Sequence, residues 1–138
     1  MININILLNN AEVYSIEYSG FFTLKFTVSN ESLFSNEFTE LKLDFVSGLE
    51  LYSIEKNENE LYKILDFYGT NVTHATLTTE KKIQLEFSNG NKILSLQDDS
   101  DMTDRDWILY SDDLNENYII NDGSEIYISE SFKRIFNI

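Results

Sequence analysis

The side chain best suited to proton transfer in this chain is His74, the one histidine among 138 residues. An imidazole exchanges protons near neutral pH, and together with a second histidine or a cysteine it can also bind a transition metal. The chain offers no such companion, because it has no cysteine and no other histidine. A general base also needs a group that orients it, and the sequence nominates none. We therefore expect His74 to be a structural residue, at the surface or half-buried.

An acidic run at residues 99–104 holds oxygen ligands at alternate positions, as a calcium loop does. Such a loop turns sharply at a glycine in its sixth position and closes on a glutamate in its twelfth. Counted from Asp99, these positions hold Asp104 and Tyr110. The sequence therefore predicts a solvated acidic loop and no metal site.

Paired carboxylates could hydrolyse glycosidic bonds, and 24 Asp and Glu residues offer many pairs. Composition selects none of them, and the chain lacks a glycine-rich phosphate loop, a serine elbow and zinc-ligand spacing. We expect no catalytic residue and no cofactor, hence a protein that is not an enzyme. A carboxylate-dependent hydrolytic or carbohydrate-active β domain is the alternative, as is a structural or interaction subunit whose acidity serves solubility.

Charge and composition narrow the class of protein. Ten Lys and Arg residues against 24 acids give a net charge of −14, which argues against a nucleic-acid ligand because phosphate binding needs clustered cations. We expect a single domain over residues 1–138, since this length suits one core. No signal-peptide pattern and no apolar run of about 18 residues is present, so we expect no membrane span. The lack of cysteine favours a cytoplasmic protein.

The acids are unevenly distributed, with eleven between Asp98 and Glu130 and Arg105 as the only base there. We expect this segment to dock a basic protein, with carboxylates steering the encounter and tyrosines anchoring it. Tyr127 is a further interface candidate, whereas Trp107, followed by apolar residues, is expected in the core. The predicted partner-binding residues are Asp98, Asp99, Asp101, Asp104, Asp106, Tyr110, Asp112, Asp113, Glu116 and Tyr118.

The stretch that positions these acids is residues 81–97, in which apolar and polar side chains alternate on both sides of an Asn-Gly pair at 89–90. Alternation predicts strands with one buried face, and Asn-Gly favours a two-residue type I′ hairpin turn. We expect Leu94 and Leu96 to face the core and Ile93 to face outward. A bulge that absorbs one residue is the alternative.

Similar alternation predicts strands in most of the remaining chain. We expect the first three as an antiparallel meander, residues 38–46 and 49–54 as a second hairpin, and the Asp-Gly pair at 122–123 as another type I′ turn. The predicted strands cover residues 1–8, 11–18, 22–28, 38–46, 49–54, 70–79, 118–120 and 125–129.

One main helix is predicted at residues 57–68, where apolar side chains recur at helical spacing and Gly69 follows the end. Residues 131–138 predict a short second helix. The fold class is therefore α+β and β-rich, with antiparallel sheets or an open barrel and the main helix packed on a sheet. The expected apolar face of that helix consists of Leu61, Ile64, Leu65 and Tyr68.

A faint internal likeness links residues 13–26 with residues 72–87, although the second stretch is two residues longer. It would fit two halves built from similar hairpins. Any antiparallel sheet produces such matches, so coincidence is the expected explanation.

The string LEFSNGNKILSL at residues 85–96, followed by DWIL at 106–109 and NDG at 121–123, resembles a pattern in small bacterial proteins. These include immunity proteins of polymorphic-toxin and contact-dependent inhibition systems, and the resemblance covers residues 72–128. It implies a protein that acts by binding. Its partner would be a cognate, basic, nuclease-like toxin whose active site it occludes.

Overall fold

The computed structural model describes residues 2–28, 40–53, 60–97, 105–111 and 117–138, and of residues 60–62 the backbone alone. Within these ranges the chain forms three helices, α1 (Asn5–Leu8), α2 (Glu60–Leu65) and α3 (Glu130–Phe136). The strands are β1 (Glu12–Tyr18), β2 (Phe22–Thr27), β3 (Glu40–Phe45), β4 (Leu49–Tyr52), β5 (Val72–Leu77), β6 (Ile83–Phe87), β7 (Lys92–Ser95), β8 (Trp107–Tyr110), β9 (Tyr118–Asn121) and β10 (Ile126–Ile128).

These strands form two antiparallel sheets whose inner faces share one core. Sheet A has the order β1-β2-β3-β8-β9-β10, and sheet B has the order β4-β7-β6-β5. The prediction of a β-rich α+β fold with antiparallel sheets is confirmed.

The core is built from rows of directly opposed residues, because side chains that face each other across neighbouring strands lie on the same side of a sheet. Each leucine or isoleucine in these rows contributes about 1.5–3 kcal/mol when fully buried. The central row of sheet A contains Leu24, Leu43, Leu109 and Ile119, and that of sheet B contains Leu51, Ile93, Leu85 and Ala75, all at most 8% exposed.

The chain consists of two halves of like topology, each a short helix followed by four strands. In the first half α1 precedes β1 to β4, and in the second half α2 precedes β5 to β8. The first three strands of each half are successive neighbours in one sheet, but β4 pairs with β7 and β8 pairs with β3. The halves thus exchange their fourth strands, and β9, β10 and α3 extend the second half alone.

Reciprocal hydrogen bonds join the halves where their first strands begin. Val13 N donates to Thr70 O at 3.0 Å, and Val72 N donates to Ala11 O at 2.8 Å. Each hairpin also has an irregularity in register directly after its valine, Val13 or Val72. The halves are therefore related by approximate twofold symmetry in strand order and hydrogen bonding, whereas the expectation that their likeness in sequence is a coincidence stays a prediction.

The prediction of a strand over residues 1–8 is wrong, because α1 occupies this place. Isoleucine and asparagine alternate here, but Ile4, Leu7 and Leu8 are spaced for a helix and all three are buried. A hydrogen bond from Ala75 N to Asn5 Oδ1 at 2.8 Å fixes the helix against β5. This short stretch fits both the alternation of a strand and the spacing of a helix, and tertiary packing selects the helix.

The second predicted hairpin is also wrong, although both of its strands exist. A turn at residues 46–48 leads the chain from β3 in sheet A to β4 in sheet B. Gly48 has a φ of +97°, a conformation that glycine adopts without strain, and its carbonyl accepts a hydrogen bond from Leu96 N at 3.1 Å. Alternation predicts which face of a strand is buried but leaves its neighbour open.

The central hairpin is confirmed as β6 and β7, but its turn has three residues. Gly90 N donates to Phe87 O at 2.9 Å, and Gly90 has a φ of +88°, as in a type I turn followed by a glycine bulge. The added residue brings Ile93 opposite Leu85 in the core. Our prediction that Ile93 faces outward, with Leu94 and Leu96 inward, is therefore wrong.

The hairpin of β9 and β10 is likewise confirmed, with its turn one residue later than the predicted pair at 122–123. Residues 122–125 join the strands, and Asp122 N donates to Glu125 O at 3.1 Å. The C-terminal helix is confirmed as α3, whose Phe132 is buried. Trp107 lies in the core as expected, and its Nε1 donates to Lys81 O at 3.0 Å.

Helix α2 exists, but its buried side differs from the predicted face. Ile64 and Phe67 are buried, whereas Leu65 and Tyr68 are 56% and 63% exposed. The Phe67 ring meets the Phe87 ring edge-on, with centroids 4.9 Å apart. Residues 66–69 form turns after the helix, so the helical spacing that we extended to residue 68 does not apply there.

Candidate functional site

The outer face of sheet A brings together the tyrosines that the sequence nominated. Tyr110 of β8 lies directly opposite Tyr118 of β9. Tyr127 of β10 lies opposite Ile120 and so faces the same side of the sheet. We call Tyr110, Tyr118 and Tyr127 the tyrosine patch. Its members are partly exposed, Tyr127 most of all at 49%.

Asp44 of β3 lies beside this patch and is held by two hydroxyl groups. Thr23 Oγ1 donates to Asp44 Oδ1 at 2.7 Å, and Tyr110 OH donates to the same oxygen at 3.3 Å. Burial raises the pKa of Asp44 above its ordinary value, against the opposing effect of both hydrogen bonds. Burial and the nearby Asp44 carboxylate raise the pKa of Tyr110 to about 12, so this phenol remains a donor at neutral pH.

A cation also lies against the patch. Lys42 is opposite Tyr110 in the register, and its Nζ is 6.0 Å from the centroid of the ring. This distance is the outer limit of a cation–π contact. Tyr110 is thereby oriented from two sides, by Lys42 and by Asp44.

The raised pKa of Asp44 predicts a pH-dependent stability. The folded protein binds the proton more tightly than the unfolded chain, whose carboxyl has a pKa of 3.8. Stability therefore falls as the pH rises from about 3.8 through the raised pKa, and the cost is fully present at neutral pH. Asp44→Asn removes this cost and keeps an oxygen for both donors. It should stabilise the protein at about pH 7 by less than ~1 kcal/mol, since solvent screens a half-buried charge.

Urea unfolding of the parent and of Asp44→Asn at about pH 7 and pH 4 measures this effect. The advantage of the variant should shrink towards the lower pH. An advantage of the same size at both values would mean that the carboxylate charge is not its cause.

The turn between β9 and β10 adds acidic groups at the edge of the tyrosine patch. Asp122 Oδ1 accepts hydrogen bonds from Glu125 N at 2.7 Å and from Ser124 N at 2.9 Å, which lower the pKa of its carboxyl. Glu125 is exposed, and its hydrogen bond with Tyr127 raises the pKa of that phenol. Because the pKa of Asp122 is lowered, its ionised carboxylate stays beside Tyr127, the most exposed tyrosine of the patch.

Asp106 does not belong to the accessible surface where we expected it. It is 4% exposed, and Ser47 Oγ donates to its Oδ1 at 2.9 Å. Its backbone is fixed as well, by Asp106 N donating to Asn121 O at 2.7 Å and by Asp106 O accepting from Ser47 N at 3.1 Å. Asp106 therefore anchors the acidic stretch to the place where the chain passes between the sheets.

The remaining predicted site residues lie outside the described part of the chain, and so does the whole acidic loop at residues 99–104. Two facts of connectivity still apply to them. Residues 112–116 join the strands of Tyr110 and Tyr118, and a hydrogen bond from Ser111 N to Asn117 O at 3.1 Å closes the base of that connection. The residues outside the described ranges are Asp98, Asp99, Asp101, Asp104, Asp112, Asp113 and Glu116.

His74 is exposed on the outer face of sheet B, opposite Glu86, away from the tyrosine patch. In the described ranges no three His, Asp or Glu side chains are grouped so that they could hold a metal ion. Among the same residues, no helix is long and apolar enough to cross a membrane.

Sequence reasoning missed Asp44 and Thr23. The alternation of β3 assigns Asp44 to the outer face, but nothing local shows that Thr23 of β2 and Tyr110 of β8 converge on it. That convergence depends on the exchange of β8 into the sheet of the first half. No family model, no curated protein and no solved structure matches this chain.

Proposed function

We propose that this chain is an acidic binding protein, an immunity protein that neutralises a basic, nuclease-like toxin by occluding its active site. The observation that carries the proposal is the tyrosine patch, with Tyr110 and Tyr118 paired across the strands that the acidic residues 112–116 connect. Aromatic anchors within a charged rim are the usual centre of a protein interface. The proposed partner is therefore a protein.

The charge of the chain indicates which kind of protein the proposed partner is. At −14 the chain attracts a basic partner over several ångströms, and such steering raises association rates by about 10- to 1000-fold. A nuclease domain is basic because it must hold phosphates. An acidic protein bound tightly over the active site of a nuclease also repels the phosphates of the nucleic-acid substrate.

Inhibition by occlusion needs no chemistry from the inhibitor, so the proposed protein is not an enzyme and uses no cofactor. The proposal places it in the cytoplasm of the cell that it protects. A chain without cysteine needs no oxidising compartment for its fold.

Tyr118→Ala tests the patch in a complex with a purified basic, nuclease-like toxin domain, to be sought in the neighbouring reading frames. Removal of a central aromatic anchor should raise the Kd about 30-fold, which corresponds to about 2 kcal/mol. Tyr68→Ala is the matched control, because Tyr68 is 63% exposed in the turn after α2. Isothermal titration and inhibition of the toxin measure both variants.

If Tyr118→Ala loses affinity for the toxin domain and Tyr68→Ala does not, the tyrosine patch is supported as the binding surface. Equal affinities for both variants would contradict the role of the tyrosine patch. If the parent chain neither binds nor inhibits any neighbouring basic toxin domain, the proposed function itself is wrong.

A further inference from the structure

The two halves differ at the outer edge of their fourth strands. In the second half, the fourth strand β8 is covered on its outer edge by β9, with Leu109 opposite Ile119. In the first half, the equivalent strand β4 is the edge of sheet B. Within the described ranges, a neighbouring strand is therefore present at one of the two equivalent edges.

The exposure of the two strands reflects this difference. Trp107, Ile108 and Leu109 of β8 are at most 5% exposed. Their equivalents in β4 are the partly exposed Leu49, the exposed Glu50 and Leu51 at 8%.

The backbone of β4 is poised to pair on its free side. Gly48 O accepts from Leu96 N at 3.1 Å, so the alternate residues Leu49 and Leu51 direct their N–H and C=O groups away from β7. No hydrogen bond joins these groups to any other residue in the described ranges. The free edge ends near Ser53, whose hydroxyl donates to Asp66 Oδ2 at 3.3 Å.

A groove of about 470 Å³, lined by both polar and apolar groups, lies next to this edge. Tyr18, Phe21 and Phe22 at the tip of the first hairpin line one side, and Leu49 and Leu51 line the other. Tyr18 is 67% exposed, although its register places it on the inner face of sheet A. A large aromatic side chain thus points into space that no described residue fills.

In the second half the corresponding space is closed. Lys81, which stands where the first half has Gly20, accepts hydrogen bonds at its carbonyl from Asn121 Nδ2 at 2.7 Å and from Trp107 Nε1. Its Nζ donates to Ser124 O. Side chains and backbone of β8, β9 and the turn after β9 therefore cover the tip of the second hairpin, and no equivalent covers the first within the described ranges.

We propose that the β4 edge and its groove bind an extended segment of a partner protein, which pairs antiparallel with β4 as β9 pairs with β8. Main-chain hydrogen bonds to Leu49 and Leu51 supply affinity, and alternate side chains supply specificity. The residue opposite Leu51 is aliphatic, as Ile119 is opposite Leu109. The residue opposite Leu49 is a large apolar one that enters the groove.

In the proposed partner segment, the residue between these two lies opposite Glu50 and is basic. In β9 this position is Ile120, which faces Ile108, but β4 has the exposed Glu50 there. Opposite charges across a strand pair are stabilising, and like charges are destabilising. A second copy of the chain fits poorly, since each copy carries −14 and presents Glu50 at this edge. The site therefore selects an apolar–basic–apolar segment from another protein.

The probe is the synthetic peptide Thr-Ile-Lys-Phe-Lys-Ile-Thr, and the readout is amide hydrogen exchange followed by NMR on the full chain. With about nine tenths of the protein bound, exchange at Leu49 and Leu51 N–H should slow about tenfold, because these groups gain acceptors. Glu50→Lys should abolish the preference for this peptide and favour its analogue with glutamate in place of lysine. Glu50 is exposed, so the fold should tolerate the change.

Two results would overturn the proposal. One is unchanged exchange at Leu49 and Leu51 at saturating peptide, or protection that maps to another strand edge such as β10. The other is binding that Glu50→Lys leaves unaltered. Tyr18→Ser is an independent test. Because it removes an aromatic side chain from the groove, it should lower the affinity for the peptide with phenylalanine at its fourth position more than the affinity for an analogue with alanine there. No toxin takes part, so failure here leaves the proposal for the tyrosine patch untouched.

Discussion

Leu85→Ala is expected to lower the free energy of unfolding by about 2–5 kcal/mol. Leu85 is fully buried in the central row of sheet B, between Ala75 of β5 and Ile93 of β7. Its removal loses the transfer free energy of the isobutyl group and leaves a cavity that two fixed neighbouring strands cannot close. Phe87→Ala, at 2% exposure in the same strand, should cost a similar amount.

Gln84→Ala is the matched control, because Gln84 lies in the same strand and faces outward. Urea unfolding at constant pH measures all three variants, and the change at Gln84 should stay within about 0.5 kcal/mol. Equal midpoints for Leu85→Ala and Gln84→Ala would mean that the buried face of β6 is assigned wrongly. Leu61, which the sequence places on the apolar face of the main helix, has a side chain outside the described part of the structure.

The faces of the longer strands could be predicted from sequence, and the partners of the strands could not. Alternation in β3 and β6 names the buried residues correctly because a period of two leaves only one apolar side. The same alternation cannot show that β4 pairs with β7 and β8 with β3. Exchange of strands depends on contacts between residues far apart in the chain, which no local pattern records.

The predictions for the short segments were wrong for a different physical reason. Ile93 was misplaced because a three-residue turn, closed at Gly90, shifts the return strand by one position. A shift of one position turns every side chain to the opposite face. At the N-terminus, burial of Leu7 and Leu8 favours a helix where too few residues are present for the period to decide.

The candidate site was predictable in its residue types but not in its geometry. Tyr110 and Tyr118 stand on either side of an acidic run in the sequence, and a hairpin connection makes them neighbours. Asp106 is counted among the same acids, yet its bond to Ser47 buries it. Composition therefore locates the charged segment, while long-range contacts decide which of its carboxylates face solvent.

The two outer faces show how equivalent halves come to present different surfaces. Asp44 of sheet A corresponds to Leu94 of sheet B, and the neighbouring Ile108 corresponds to Glu50. Polar and apolar residues have thus changed places between the halves. Sheet A holds its carboxylate against Thr23 and Tyr110, whereas sheet B carries its own at a free edge. The two proposed binding surfaces therefore differ in the residues that they present on an equivalent backbone.

Reversal of Asp99, Asp101 and Asp104 to lysine is expected to slow association with the basic partner by about 10- to 1000-fold at low salt. Surface charges act mainly on the association rate, because they attract the partner before contact is made. At about 0.5 M salt the Debye length falls to roughly 4–5 Å and this attraction is screened. The triple variant and the parent should then associate at similar rates, which stopped-flow measurements across the salt range can follow.

The matched control replaces Glu12, Glu80 and Glu86 by lysine, which changes the net charge equally at positions outside the acidic segment. Steering decays with distance from the docking surface, so this control should slow association far less than the first triple variant. Equal effects of the two variants would show that net charge acts without a preferred face. An unchanged association rate for Asp99, Asp101 and Asp104 at all salt concentrations would show that the segment is a solvated surface without a part in docking. A loss that persists at about 0.5 M salt would instead place these carboxylates in direct contact with the partner, where their effect appears in the dissociation rate.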